Sequence, residues 1–130
     1  MIAVDTNVLV RVLVDDPGQP AQIKAARTRV RHAKEVFVPQ IVQAETVWVL
    51  ESAYGLNKPA ILDVLEHLLH NKAFVLQDDA IFQKALAAYR IGNADFADYL
   101  ILAECQSADY ELVTFDKRLA KAPGVTPIQP

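Results

Sequence analysis

The chain of 130 residues has one cysteine, four glycines and one tryptophan. A lone Cys105 excludes a disulfide scaffold and fits a reducing cytosol. No apolar run approaches the roughly 18–20 residues of a membrane span. The opening Met1-Ile2-Ala3-Val4-Asp5 lacks the basic flank and apolar stretch of a secretory signal, so a cytoplasmic protein without a membrane partner is expected. Neither GxGxxG, a P-loop, GxSxG nor HExxH occurs, which removes the nucleotide-fold, serine-hydrolase and zinc-protease readings. Repeats, low-complexity tracts and linkers are missing too. What is present is a composition 52% hydrophobic and 22% charged, too apolar for disorder. Its length implies one domain over residues 1–130, burying roughly two-thirds of its unfolded surface. Sixteen acids against thirteen Lys and Arg leave a net charge of −3, so the placement of charge matters more than its sum.

Short apolar runs alternate with helical segments. Strands are expected at Ile2–Val4, Val36–Val38, Phe74–Leu76, Leu112–Phe115 and Val125–Ile128. Helices are expected over Asn7–Val14, over Pro20–Ala33 with proline in the first turn, and over Gln40–Ala53. Further helices run from Asn57 or Lys58 to His70, from an Asp79 N-cap to Arg90, and from Asp95 to Ser107, with a short one at Lys117–Lys121. This alternation predicts an α/β fold, a three-layer α/β/α sandwich with a mostly parallel central sheet of four to five strands.

In such sheets ligands bind beyond the carboxyl ends of the strands. Asp5 follows the first strand and Asp116 the fourth, and both would project at one edge if those strands are parallel neighbours. At 100° per residue, Glu45 lies between Ile41 and Trp48 on one side and Val42 and Val49 on the other, an acid on an apolar side of its helix. Asp98 shares a face with Ile101, Leu102 and Cys105. Buried or gathered carboxylates are costly unless a cation compensates them, and oxygen donors suit Mg²⁺ or Mn²⁺. Each acid also has a structural reading: Asp5 closing a turn with Asn7, Asp95 capping a helix, Asp98 favouring a helix dipole, Glu45 in an ion pair, Asp116 capping the last helix.

Four blocks in order carry a resemblance to PIN-domain ribonucleases, most closely VapC-type toxins of toxin–antitoxin pairs. They are Val4-Asp5-Thr6-Asn7-Val8-Leu9, Ala44-Glu45-Thr46-Val47-Trp48-Val49-Leu50, Asp95-Phe96-Ala97-Asp98-Tyr99-Leu100-Ile101-Leu102-Ala103, and Leu112-Val113-Thr114-Phe115-Asp116-Lys117. Leu102 departs from the alanine that often follows the Leu-Ile pair. The resemblance implies a PIN-like fold and metal-dependent hydrolysis of RNA, with Asp5, Glu45, Asp98 and Asp116 as catalytic, metal-binding acids. Asp95 would be either a further ligand or a helix cap, and Thr6, Asn7 and Thr114 would support the site by hydrogen bonds. One or two Mg²⁺ or Mn²⁺ ions would serve. Glu45 would either bind through water or position the attacking water. The resemblance also implies a cognate antitoxin, a homodimer, and a toxin–antitoxin complex on operator DNA. The antitoxin could inhibit by placing an arginine among the acids.

Without those four acids, twelve remain against thirteen Lys and Arg, so the rest of the chain is near neutral. Lys24, Arg27, Arg31 and Lys34 fall within about an 80° arc of one helix. Lys24, Arg27 and Arg31 read either as a phosphate-contacting strip or as a solvated face, while Arg29 lies elsewhere. Arg11, Lys117 and Arg118 are nearer the acids in sequence and are further RNA-contact candidates. Glu66-His67-x-x-His70 and His32 are expected on exposed faces, Cys105 in the core, and Trp48 and Tyr99 in core or dimer packing. The compact length favours a toxin over a housekeeping RNA-processing nuclease of the same fold. A receiver-type phosphoacceptor domain is set aside, because it wants an acidic pair directly after the first strand, whereas Asp15-Asp16 lie a helix later.

Overall fold

Short apolar runs are separated by longer helical stretches along the chain, and most become the element their pattern implies. The computed structural model describes all residues, Met1–Pro130. In chain order the elements are β1 (Ile2–Ala3), α1 (Thr6–Leu13), α2 (Pro20–Ala33), β2 (Val36–Val38), α3 (Gln40–Ser52), α4 (Lys58–His70), β3 (Phe74–Leu76), α5 (Asp79–Ile91), α6 (Phe96–Ser107), β4 (Leu112–Thr114), a 3₁₀ turn (Leu119–Lys121) and β5 (Val125–Pro127). This is a mixed α/β fold in which every strand pair is parallel. All five expected strands form, and their hydrogen bonds group them as β1-β2-β3 and β4-β5. The chain divides into two compact units, Met1–Gln77 and Asp78–Pro130.

In the first unit β2 is the central strand, with Ile2 opposite Val36 and Val36 opposite Phe74. Its Val36 and Val38 are fully buried, as a strand covered on both faces requires. Val4 lies one residue past β1, yet its N–H still bonds Phe37 O at 3.2 Å. Pro20 opens α2 at a position that needs no N–H donor. Asn57 caps α4 by accepting from the Ala60 N–H at 3.1 Å. Helix α1 packs on α2 and α3, and α4 on β3. Leu9, Leu50, Ile61, Leu65 and Leu68 are sealed within this core. At the carboxyl ends of β2 and β3, buried Gln43 donates through Nε2 to Val38 O (3.2 Å) and Gln77 O (2.9 Å). One side chain thus bridges the ends of the two strands, adding a second donor to Val38 O, which already accepts the Gln77 N–H at 3.0 Å.

A second polar device ties α1 to the end of α3. Arg11 donates to the Tyr54 hydroxyl at 2.6 Å and to Gln22 Oε1 at 2.9 Å. Tyr54 in turn donates to Asp16 Oδ2 at 2.9 Å, and the Gly18 N–H bonds Asp16 Oδ1 at 2.9 Å. These bonds, the backbone amide of Gly18 first and Tyr54 next, hold the Asp16 carboxyl below its ordinary value despite partial desolvation, with Arg11 adding attraction. Desolvation and the bond to Asp16 push the Tyr54 phenol up.

In the second unit α5 packs on α6 through edge-on aromatic rings. Phe96 sits edge-on to both Phe82 and Tyr89, at 5.6 Å between centroids in each case. The Tyr99 hydroxyl accepts the Ala94 N–H at 3.1 Å. It reaches that amide across Gly92, where a Cβ would stand 1.9 Å from the hydroxyl oxygen. Three expectations shift here. Asp78, in the left-handed region at φ 52°, precedes α5 as its N-cap residue, and Asp79 is the first helical residue. The last helical segment is a single 3₁₀ turn. Cys105 is half-buried, since α6 turns its flank toward the surface there.

Gly92→Ala is therefore expected to cost about 1–3 kcal/mol by overpacking. Tyr99→Phe in the same chain should relieve part of it, so that urea melts of the double variant show less than the summed loss. For Asp16, whose folded pKa is lowered, the stabilisation is present above its ordinary 3.8 and lost as pH falls through the lowered value. The thermal midpoint of the wild type should exceed that of Asp16→Asn at neutral pH, and the gap should close in strong acid.

Candidate active site

Four of the five candidate acids stand at or beside the start of a helical segment, where backbone N–H groups lack partners. In the first unit Asp5, one residue beyond Val4, is the N-cap of α1 and accepts the Val8 N–H at 3.0 Å through Oδ1. Thr6 follows it and donates from Oγ1 to Glu45 Oε1 at 3.1 Å, which ties the first turn of α1 to the middle of α3. In the second unit Asp95 is the N-cap of α6 and Asp98 is its N3 residue, and the two form a reciprocal capping box. The Asp95 N–H donates to Asp98 Oδ2 at 3.2 Å. Asp116, two residues past β4, accepts the N–H groups of Arg118 (2.8 Å) and Leu119 (3.3 Å) through Oδ1. Its own N–H bonds Thr114 Oγ1 at 2.9 Å.

Capping uses only part of each side chain. The bonds above engage one oxygen of Asp5, Asp98 and Asp116 and fix the carboxylate plane, while the second oxygen of each takes no hydrogen bond from the chain. The charges of the second unit are mutually unfavourable. Asp98 is half-buried, and desolvation is the main cause that raises its pKa. Its backbone bond from Asp95 opposes this, the charges of Asp95 and Asp116 add to it, and Arg118 offsets part. Arg118 lies 4.0 Å from Asp116 Oδ1, an open contact at the surface.

The structure thus groups Thr6 with Glu45, directly after Asp5, in the first unit, and Asp95, Asp98, Thr114, Asp116 and Arg118 in the second. Glu45 is exposed rather than set in an apolar wall. Its neighbours Ile41 and Trp48 are 74% and 67% exposed, so this side of α3 is uncovered and Trp48 is not a core residue. Tyr99, by contrast, is buried as expected. Asn7 lines a cavity of about 360 Å³ together with Arg11, Asp16 and Tyr54. His32 and His67 are exposed, and His70 pairs with Glu66 at 2.9 Å on a helix surface.

The basic candidates separate by what they already hold. Arg27 is spoken for, with Nε on Val12 O at 3.2 Å and Nη2 on Asp15 at 3.1 Å. Arg11 is half-buried in its network with Gln22, Tyr54 and Asp16. Lys24 and Arg31 are exposed on α2 and line a cavity of about 510 Å³ with Asp15 and Asp16. Lys117 and Arg118 are exposed beside Asp116. Tyr54 and Gln22 escape a reading of the sequence, because their partners lie 43 and 11 residues away from them.

Does the acid set suit a divalent cation? No group of three or more His, Cys, Asp or Glu forms a ready-made metal cage. Mg²⁺ does not require one, since it is usually held by one or two carboxylates, water and substrate phosphate. The donors are carboxylate oxygens, which match a hard dication. The like-charge strain on Asp98 is one that a cation relieves. On donor chemistry the residues fit.

A family model described as the PIN domain matches residues 2–125. PIN domains are generally nucleases, act on RNA and typically use divalent metal ions. A comparison with curated proteins finds no significant match. Since that match takes in both units and every acid described above, the chain belongs to the PIN domain family.

Proposed function

We propose that this chain is a Mg²⁺- or Mn²⁺-dependent endoribonuclease and the toxin of a toxin–antitoxin pair. Asp5, Glu45, Asp98 and Asp116 are its catalytic acids. The observation that carries the reading is the state of the aspartates: Asp5, Asp98 and Asp116 each bond a backbone N–H through one oxygen and leave the other unengaged, and Asp98 is half-buried beside the charges of Asp95 and Asp116.

Asp5, Asp98 and Asp116 would hold the cation directly, with Asp95 as a further ligand or solely as the cap of α6. A divalent ion supplies Lewis acidity toward a phosphodiester and lowers the pKa of water near it. The chain's own residues do the positioning. The α1 amide at Val8 fixes Asp5, the capping box fixes Asp98, and Thr114 with the 3₁₀ turn fixes Asp116. Thr6 holds Glu45, which either takes up the ion through water or orients the attacking water. Lys117 and Arg118 offer cations to phosphate next to Asp116.

The toxin assignment rests on the four sequence blocks that resemble VapC-type proteins. Uncovered Ile41 and Trp48 on α3 support an association surface, for a homodimer or for the antitoxin. An antitoxin arginine set against the acids would supply the missing counter-charge and block RNA. Operator DNA would then be bound through the antitoxin.

Purified protein should cleave single-stranded RNA with Mg²⁺ or Mn²⁺ and stop with EDTA. Asp5→Asn and Asp98→Asn, which keep the caps, should each lower the rate about a hundredfold or more. Cleavage that survives both EDTA and Asp5→Asn would contradict the metal–carboxylate reading.

A further inference from the structure

Asp5 shares a groove with α2. It occupies about 400 Å³, and Asp5, Arg11, Gln22, Ala25, Ala26 and Arg29 are among its lining residues. That is the lower end of the range for small-ligand sites, roughly 300 to 1,000 Å³. On the α2 side its apolar lining is small, Ala25 and Ala26 carrying only methyl groups. Besides Asp5 and Asn7, three polar residues line it in different conditions.

Arg11 is committed, bonded to Gln22 Oε1, Tyr54 and, at 3.7 Å, Asp16. That commitment orients Gln22: its carbonyl oxygen is taken by Arg11 Nε, and its Nε2 remains a donor without a bond in the chain. Arg29 is different again. It is exposed, no carboxylate pairs with it, and no hydrogen bond engages it. Among the arginines of α2, Arg27 is neutralised by Asp15, and Arg31 lines a different cavity with two aspartates. Arg29 is the α2 arginine whose charge opens onto the groove that contains Asp5.

A free guanidinium, an oriented amide donor and a small apolar floor beside a candidate catalytic acid match one nucleotide: phosphate, base edge and base face. We infer that this groove seats a single nucleotide of the RNA strand next to the scissile bond, with Arg29 on its phosphate and Gln22 Nε2 on an acceptor of its base. Arg11 is a positioning residue that fixes the Gln22 amide. The inference rests on the nuclease reading above and adds to it where the strand lies and which residue senses the base. It also moves the phosphate contact from the Lys24, Arg27 and Arg31 face to Arg29.

The test uses the full chain and a fluorescein-labelled single-stranded RNA. Binding is measured over a salt series and cleavage over a range of RNA concentrations. Circular dichroism controls for folding in Arg29→Ala, Arg29→Glu, Arg29→Lys and Gln22→Ala. Arg29→Ala should raise KM several-fold with kcat little changed, and lower the slope of log affinity against log salt by roughly 0.7, one single-strand phosphate. Arg29→Glu should raise KM further, and Arg29→Lys should restore the slope. Gln22→Ala should leave the salt slope alone and change which sites along the RNA are cut. If wild-type protein cleaves RNA but the Arg29 variants keep its KM, slope and cutting pattern, the nucleotide subsite is overturned while the nuclease reading stands, and the groove is left to a protein segment. A wild type that neither binds nor cleaves RNA overturns both.

Discussion

The proposed acids depend on one recurring bond, the backbone N–H at the start of a helical segment donating to an aspartate. It occurs at α1 with Asp5, at α6 with Asp95 and Asp98, and at the 3₁₀ turn with Asp116. Each satisfies an amide that the helix leaves unpaired, and each places negative charge where the helix dipole favours it. The same bond does two things. It stabilises the segment, typically by about 1 kcal/mol per cap, and it immobilises a carboxylate with one oxygen still available. A capping role and the proposed catalytic role of these acids therefore do not compete, because a cap uses one oxygen and leaves the other available.

The price of this arrangement falls on the second unit. Asp98 is half-buried, and the charges of Asp95 and Asp116 act on it, opposed by its bond from the Asp95 N–H and by the exposed Arg118. Desolvated like charges are tolerated when something else supplies positive charge. Elsewhere the fold neutralises its acids locally: Asp16 has Tyr54, Gly18 and Arg11, and Asp15 has Arg27. The contrast between the satisfied Asp15 and Asp16 and the half-buried Asp98 marks the proposed site more sharply than the count of charges does. It fits the observation that the chain without its four candidate acids is close to neutral.

Much of this was legible in the sequence, for local reasons. Helix α2 runs over the expected Pro20–Ala33 because proline presets its first turn and Lys34, at φ 66°, breaks its end. Strands β2 and β3 were visible as apolar triplets, β2 with Pro39 after it. Asp5 and Asp116 stood out because they follow strands, and Asp95 because a helix cap leaves a local signature, while the role of Asp5 as the cap of α1 emerged from the fold. What stayed hidden was non-local. Periodicity put Glu45 between Ile41 and Trp48, but it could not say that this face of α3 is uncovered. The arc of Lys24, Arg27 and Arg31 was readable, while the capture of Arg27 by Asp15 was not. Tyr54 gave no sign of itself, since its partner Arg11 is 43 residues away. Asp78 and Asp79 are identical neighbours, and only the positive φ of Asp78 shows where α5 begins.

A cation bound among the candidate acids would relieve the burial and like charge that raise Asp98. Calorimetric titration of Mn²⁺ into the wild type and into Asp98→Asn tests it directly. Asparagine keeps the capping oxygen and removes the charge. The account predicts binding to the wild type that tightens as pH rises out of the carboxylate titration range, and a loss of about tenfold or more in Asp98→Asn. Wild-type protein that takes up no Mn²⁺, or equal binding by the two proteins, would contradict it.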